Sequence, residues 1–195
     1  MIPKRFIRVW IGGTKKIPKK FEQWWGEFSE MHPDYEMLTI TKWSQLDVPD
    51  SFEKIIPFIE TCAGWSDIGR ILAVHKYGGV YVDTDVMPIK SFDTLVKSNK
   101  PFFAKRSSKS FESAVFGSPA NHKAITALID NLPSWYEKHK YRSASVQTGP
   151  AFVSSVLFGR PDVTHLPSFT FYPYNGFMAP KREEKQKMFS DKSNF

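Results

Sequence analysis

Two aspartates separated by one residue, Asp83 and Asp85, are the side chains of this 195-residue chain whose spacing suggests chemistry most directly. They follow the apolar run G-G-V-Y-V, which predicts a buried strand with both carboxylates at its C-terminal end. In open α/β sheets, ligands bind beyond the carboxyl ends of the strands. Two carboxylates this close repel each other and are costly to bury without a partner. A divalent cation, which prefers oxygen ligands, would compensate them and could then hold a phosphorylated substrate.

A second charged pair, Asp67 and Arg70, precedes that strand in the segment S-D-I-G-R. Three residues apart on a predicted helix, the two side chains are neighbours on the helix surface. They could form a local ion pair worth a few tenths of a kcal/mol. Alternatively, they could bind sugar hydroxyls together, because a carboxylate accepts hydrogen bonds and a guanidinium donates them. The neighbouring D-x-D segment favours the second interpretation.

The hydrophobic spacing along the chain predicts the strands and helices that would position these residues. The predicted strands are residues 5–11, 36–40, 80–83, 102–104 and 114–116. The predicted helices are residues 18–31, 51–59, a helix capped by Ser66, residues 122–132 closed by Pro133, and residues 150–157. Alternation of this kind predicts a mixed α/β sheet flanked by helices, in one domain spanning residues 1–195.

Composition and charge narrow the classes of function. No apolar run approaches the ~20 residues of a membrane span, the start of the chain lacks the apolar core of a signal peptide, and Cys62 is the only cysteine. These features predict a cytoplasmic protein. The net charge is +7, with seven lysines and arginines in the first twenty residues. This excess is either a solvated basic surface or a field for anionic partners, including an anionic membrane surface touched peripherally. Because no nucleic-acid-binding motif is evident, we expect no nucleic-acid partner.

Taken in order, R-V-W-I-G-G, S-D-x-x-R and Y-G-G-V-Y-V-D-T-D resemble the signature of the DXD-containing sugar transferases. That group includes yeast-type initiating mannosyltransferases, bacterial capsule and surface-polysaccharide transferases, and the glucosylating domains of large bacterial toxins. The resemblance covers the first half of the chain well and continues weakly through T-G-P-A-F to F-Y-P. A bare D-x-D carries little information, whereas the three segments in this order are highly specific.

The resemblance implies a GT-A fold, a Rossmann-like nucleotide-sugar-binding domain that uses Mn²⁺ or Mg²⁺. By position, it implies Asp85 and Asp83 as metal ligands, and Asp67, Arg70 and Asp83 as catalytic residues. It also implies a donor-binding set made of Trp10, Ile11, Gly12, Gly13, Asp67, Arg70 and Asp83. Trp10 matches the aromatic side chain that stacks on the base, and Asp67 and Arg70 match the clamp on the donor sugar. Without the resemblance, core packing would be the default interpretation of Trp10.

The function implied is transfer of a hexose from a nucleotide sugar to a glycan, a lipid-linked glycan or another hydroxyl acceptor, with retention of configuration. A UDP-sugar is the favoured donor and a GDP-sugar its rival. Residues 147–150 could line the donor or acceptor site or form a simple capped turn. The family usually continues past F-Y-P into a closing loop, which we expect this chain to lack. Two other classes stay open: a phosphohydrolase with an aspartate nucleophile, and a non-catalytic module that binds glycans or nucleic acid.

Overall fold

The computed structural model describes residues 1–12 and 15–172, and within them six strands form one mixed sheet. The strands are β1 (Arg5–Val9), β2 (Glu36–Ile40), β3 (Gly79–Val82), β4 (Phe102–Ser107), β5 (Ser110–Ser118) and β6 (Thr164–Leu166). Their order across the sheet is β2-β1-β3-β5-β4-β6. Strand β1 is parallel to β2 and to β3, β5 is antiparallel to β3 and β4, and β6 is parallel to β4. The predicted fold class, a mixed α/β sheet, is confirmed; β6 was not predicted.

Helices cover both faces of this sheet. Those in the described residues are α1 (Lys19–Met31), α2 (Asp50–Glu53), α3 (Cys62–Tyr77), α4 (Asp93–Val96), α5 (Lys123–His139), α6 (Ala144–Gln147) and α7 (Pro150–Leu157). Alternation along β1 divides the core: Ile7 and Val9 pack with α3, α5 and α7, whereas Phe6 packs with Phe28 of α1. No helix of the described part of the chain has the length and apolar character needed to cross a membrane.

Helix α3, which carries the Asp67 and Arg70 pair, begins earlier than the sequence predicted. The prediction that Ser66 caps it is wrong, because the Thr61 hydroxyl accepts a hydrogen bond from the Gly64 amide (3.1 Å) and the helix starts at Cys62. At the C-terminal end, Gly78 follows the helix at a φ of 62°, a conformation that glycine adopts without strain. Strand β3 starts at the next residue, so the turn between helix and strand is very short.

Two other predicted helices also differ from the structure. Helix α5 does not close at Pro133 but continues to His139, because the residues beyond the proline are held by tertiary packing. Tyr136 is buried, and Trp135 packs on Phe152 of α7 and donates a hydrogen bond to the Val146 carbonyl oxygen. The helix predicted over residues 51–59 is instead the short α2 followed by a 3-10 turn, Ile56–Phe58.

Candidate functional site

The parallel strands β1 and β3 are neighbours in the sheet, so the segments that follow them lie at the same edge. Trp10 follows β1 directly, and Asp83 follows β3 directly. The backbone holds Asp83 at this point, because its amide donates to the Ala114 carbonyl oxygen of β5 (2.7 Å) and its carbonyl oxygen accepts from the Val86 amide (3.0 Å). The chain therefore turns away from the sheet between Asp83 and Val86, and Asp85 in this turn is exposed.

Arg70 is the centre of a set of polar side chains, buried except for the partly exposed Asp83, that we call the Arg70 cluster: Asp67, Arg70, Tyr81, Asp83, Ser113 and Thr148. Arg70 forms an ion pair with Asp67 (Nη2 to Oδ1, 2.9 Å) and a longer one with Asp83 (Nη1 to Oδ1, 3.3 Å). Its Nη1 also donates to the Ser113 carbonyl oxygen at 2.7 Å. Only 9% of the Asp67 and Arg70 side chains is exposed, so the interpretation of this pair as a surface ion pair is wrong.

The two aspartates of the cluster are also held by uncharged partners. The Thr148 hydroxyl donates to Oδ2 of Asp67 (3.0 Å), and the Tyr81 hydroxyl donates to Oδ1 of Asp83 (2.6 Å). The guanidinium of Arg70 lies over the Tyr81 ring, 4.9 Å from its centroid. Tight packing fixes the Thr148 segment, since a Cβ on Gly149 would come within 3.0 Å of the Asp67 carboxylate. Asp67 and Asp83, predicted to act together with Arg70, therefore both contact its guanidinium.

The Arg70 cluster contains more negatively charged groups than positively charged ones. Burial raises the pKa of the Asp67 carboxyl above its usual value, against the lowering effects of Arg70 and Thr148. Burial likewise raises the pKa of Asp83, and the nearby Asp85 raises it further, while Arg70 and Tyr81 act in the opposite direction. One guanidinium thus pairs with two carboxylates, those of Asp67 and Asp83, and Asp85 adds a third negative charge that acts on Asp83. A bound cation would compensate the remaining negative charge.

The carboxylates of Asp83 and Asp85 fit the chemistry of a Mg²⁺ or Mn²⁺ ion. Within residues 1–12 and 15–172, no group of three or more His, Cys, Asp or Glu side chains is placed to hold a metal ion. Magnesium is usually bound through one or two carboxylates together with waters and substrate phosphates, and does not need a cage made of protein ligands alone. Two adjacent carboxylates, one exposed and one partly buried, suit that kind of shared site.

Trp10 lines a cleft of about 340 Å³ between the end of β1 and the first turns of α3, which we call the Trp10 cleft. Its other lining residues are Ile11, Gly12, Lys15, Cys62, Ala63 and Ser66. The indole is partly exposed, and its Nε1 donates to the Lys15 carbonyl oxygen (2.9 Å), which fixes the ring at the cleft wall. The side chain of Ile11 is buried. The Trp10 cleft adjoins the Arg70 cluster, because the Ser66 carbonyl oxygen accepts a hydrogen bond from Arg70 Nε (3.3 Å).

The backbone conformation and the close packing at position 12 both require glycine. Its φ is 75°, and a Cβ at this position would lie 2.0 Å from the ring of Trp65, so only a residue without a side chain fits between β1 and α3. Gly13, which the sequence analysis assigned to donor binding, lies outside the described residues.

Sequence reasoning missed three residues at this site. Tyr81 precedes Asp83 by two positions, so the twofold period of a strand could have placed both on one face. Ser113 reaches Arg70 only through the pairing of β5 with β3, for which the local sequence has no signal. Glu112 lies in no recognisable motif, yet burial raises its pKa, and the charges of Asp83 and Arg70 both act on it.

Comparison with known proteins agrees with this geometry. The family described as "Glycosyltransferase sugar-binding region containing DXD motif" matches residues 18–102. Inositol phosphoceramide mannosyltransferase 3 of Schizosaccharomyces pombe is 28% identical over 172 residues, covering 80% of this chain and 44% of that protein. Mannosyl phosphorylinositol ceramide synthase CSH1 of Saccharomyces cerevisiae is 28% identical over 168 residues, covering 80% of this chain and 42% of that protein. The chain thus spans less than half the length of these relatives.

Solved structures with a similar fold are glycosyltransferase domains. PaToxG glycosyltransferase superposes with a TM-score of 0.69 at 22% identity, covering 80% of this chain and 69% of that one. The UDP-bound glycosyltransferase domain of the YGT toxin superposes with a TM-score of 0.58 at 11% identity, covering 84% of this chain and 79% of that one. The predicted GT-A fold is therefore confirmed. The family match contains Asp67, Arg70, Asp83 and Asp85, which lie at one edge of the sheet, and this part of the chain is similar to the DXD-containing sugar transferases.

Proposed function

We propose that this chain is a metal-dependent glycosyltransferase that moves a hexose from a nucleotide sugar to a hydroxyl group of a glycan or lipid-linked glycan. The observation that carries the proposal is the Arg70 cluster, which lies between the exposed Asp85 and the Trp10 cleft. Relatives named as mannosyltransferases support a hexose as the transferred group. The UDP-bound structural neighbour supports a UDP-sugar as donor, with a GDP-sugar as the rival.

Each part of the donor has a partner in this arrangement. The partly exposed ring of Trp10 offers a flat face for the base, and stacking of this kind is worth about 1–3 kcal/mol. Asp67 still has lone pairs for sugar hydroxyls after its contacts with Arg70 and Thr148, since a carboxylate offers about four acceptor sites. Asp83 and Asp85 would hold the metal ion next to the diphosphate. When bound, the ion supplies Lewis-acid neutralisation of the departing diphosphate.

The transfer we propose proceeds on one face of the sugar, without a covalent intermediate. The acceptor hydroxyl oxygen forms a bond to the anomeric carbon while the bond from that carbon to the diphosphate oxygen breaks. The electron pair of the broken bond leaves with the diphosphate, which also takes the hydroxyl proton. Attack on the face from which the diphosphate departs retains the anomeric configuration. The role of the Arg70 cluster is to orient the sugar, because Arg70 and Thr148 fix Asp67 before the donor arrives.

A phosphohydrolase with Asp83 as nucleophile is the less favoured alternative. Oδ1 of Asp83 already accepts a hydrogen bond from Tyr81 and pairs with Arg70, which reduces its reactivity toward phosphorus. We therefore expect no hydrolysis of a generic phosphate ester.

A thermal-shift panel of nucleotide sugars, each with and without manganese, tests the proposal. A ligand that binds only the folded state raises stability by RT ln(1 + [L]/Kd), about 2.7 kcal/mol at a concentration of 100 Kd. We expect a UDP-sugar and manganese together to raise the unfolding temperature more than the sum of the two alone. If no nucleotide sugar raises it, the proposed function is wrong.

A further inference from the structure

A second, larger cleft opens between the 3-10 turn Ile56–Phe58, which precedes α3, and the end of α5. We call it the Tyr141 cleft. Its volume is about 710 Å³, within the range of ~300–1,000 Å³ typical of small-molecule sites. Phe58, Thr61, Tyr141 and Gln147 are among the residues that line it. None of the roles assigned above to the Arg70 cluster, the Trp10 cleft or the metal ligands uses these four side chains.

Two aromatic side chains stand exposed at this cleft. The exposed fraction is 92% for Tyr141 and 69% for Phe58, the largest values for aromatic residues in the described part of the chain. Large side chains exposed together at one concave surface are a mark of a binding site, whereas single exposed apolar residues need no explanation. A flat ring offers an apolar face against which the C–H groups of a sugar ring can pack, while the tyrosine hydroxyl offers a polar contact.

Charged side chains of both signs surround the two rings. Lys54, Lys140 and Arg142 supply three cations, and Glu60 and Glu137 supply two anions. Lys140 and Glu137 are paired at 3.2 Å. A cleft for nucleic acid or another polyanion would show a strong excess of positive charge. This near balance of donors and acceptors instead suits a neutral ligand rich in hydroxyl groups, because each hydroxyl both donates and accepts.

Residues that line the Tyr141 cleft are adjacent to residues of the Arg70 cluster. Gln147 lines the cleft, and the next residue, Thr148, donates its hydroxyl hydrogen to the Asp67 carboxylate. Thr61 lines the cleft as well, and a Cβ on Gly64 would lie 3.3 Å from the Thr61 hydroxyl and 3.6 Å from that of Thr148. A ligand in the cleft would therefore lie close to the residue that we expect to bind the donor sugar.

From these observations we propose that the Tyr141 cleft is a binding site for a neutral saccharide, the acceptor of the transfer. The role as acceptor rests on the proposed glycosyl transfer, whereas saccharide binding to the cleft does not depend on it. The ring of Tyr141 or Phe58 packs on a sugar ring, and the surrounding charged groups bind its hydroxyls.

Saturation-transfer NMR on the full chain tests binding without any need for turnover. The probes are methyl glycosides and disaccharides of mannose, glucose, galactose and N-acetylglucosamine. We expect at least one of them to bind the wild type, with an affinity at least about tenfold lower in the double variant Phe58→Ala/Tyr141→Ala. Because both side chains are mostly exposed, these changes should leave the unfolding temperature unaltered. The single variant Tyr141→Ala, at the most exposed position, provides a second test of the same site.

Phe169→Ala is the matched control, since Phe169 is also exposed (41%) but does not line this cleft. It should bind the saccharide as the wild type does. Failure of every saccharide to bind, equal loss in the control, or unchanged binding in the double variant would each overturn the proposal. Nucleotide-sugar binding in the thermal-shift panel with no saccharide binding refutes the cleft alone. Saccharide binding that depends on Tyr141, with no nucleotide sugar bound, refutes the proposed transfer and leaves the cleft as a saccharide site.

Discussion

Replacement of Arg70 by lysine separates a sugar clamp from a purely structural ion pair. The guanidinium contacts Asp67 at 2.9 Å, the Ser113 carbonyl oxygen at 2.7 Å, Asp83 at 3.3 Å and the Ser66 carbonyl oxygen at 3.3 Å. A lysine keeps the positive charge but has a single nitrogen at the end of a flexible chain. It cannot reproduce the planar fork that spans these partners, so Arg70→Lys is not a conservative change here.

The expected loss of stability follows from the contacts that a lysine must abandon. A hydrogen bond to a charged group contributes about 1.5–3 kcal/mol, and removal of a whole partner from a buried ion pair costs about 3–5 kcal/mol. An ammonium can keep one of these contacts and part of the attraction to both carboxylates. We therefore expect Arg70→Lys to lower the free energy of unfolding by about 2–4 kcal/mol, measured by urea denaturation.

Binding of the donor should fall more than binding of the diphosphate. Without the guanidinium fork, Asp67 is no longer fixed for the sugar hydroxyls, whereas the base and the phosphates keep their partners at Trp10 and the metal site. Calorimetry should show the affinity for the nucleotide sugar lowered at least about tenfold, a difference of 1.4 kcal/mol. The affinity for the free nucleoside diphosphate should change by less than about threefold.

Arg8→Lys is the matched control. Arg8 is also buried and also makes several contacts: its Nε donates to the Thr39 hydroxyl (2.9 Å), its Nη2 pairs with Glu22 (2.8 Å), and its guanidinium lies 4.5 Å from the centroid of the Trp25 ring. These partners lie toward α1, on the other face of the sheet from Arg70. The control should lose stability but keep the difference between the two ligands. Parallel weakening of nucleotide sugar and diphosphate in Arg70→Lys would refute the clamp.

Four further changes test the remaining parts of the site. Asp85→Ala should leave the fold intact and abolish the gain in nucleotide affinity that manganese gives, measured by calorimetry with metal and with chelator; an unchanged gain would contradict the metal site. Trp10→Ala should weaken nucleotide binding by about 1–3 kcal/mol, and an equal Kd would assign the ring to packing alone. Thr148→Val should cost about 1–3 kcal/mol of unfolding free energy by leaving the buried Asp67 short of a donor, and Thr148→Ser should restore it. Glu112→Gln should slow transfer by less than about tenfold, whereas loss of a covalent nucleophile would cost several orders of magnitude.

The parts of the site that lie within a short stretch of sequence could be predicted from that stretch. Helical spacing brings Asp67 and Arg70 together, and the end of a short apolar strand places Asp83 and Asp85 beyond it. Burial of the charged pair could not be predicted in this way. It depends on Thr148, 81 residues from Asp67, and on Ser113, 43 residues from Arg70. A helical pattern shows which side chains share a face but not what packs on that face.

The positive charges near the start of the chain are a second case in which the local sequence does not show the partners of a side chain. Counting charges suggested one basic surface, yet Lys4 pairs with Asp34, and Arg5 and Arg8 pair with Glu36 and Glu22. Their partners are on β2 and α1 or at the turn between them, so the compensation appears only when these elements pack beside β1. Lys15, in contrast, lines the Trp10 cleft, where a positive charge can act on an anionic nucleotide.

The order of the strands explains why the separate segments form one site. The chain passes from β1 to β2 on one side and then returns across β1 to place β3 on the other side, which makes the gap between β1 and β3 a topological switch point. Because the chain leaves β1 toward one side and places β3 on the other, a crevice remains beyond the carboxyl ends of β1 and β3. Ligands of open α/β sheets bind in such a crevice. Trp10 and Asp83 follow the two strands that border it. The sequence patterns locate each strand, but the adjacency of β1 and β3 is a property of the assembled sheet, and it brings Trp10 and Asp83 to the same edge.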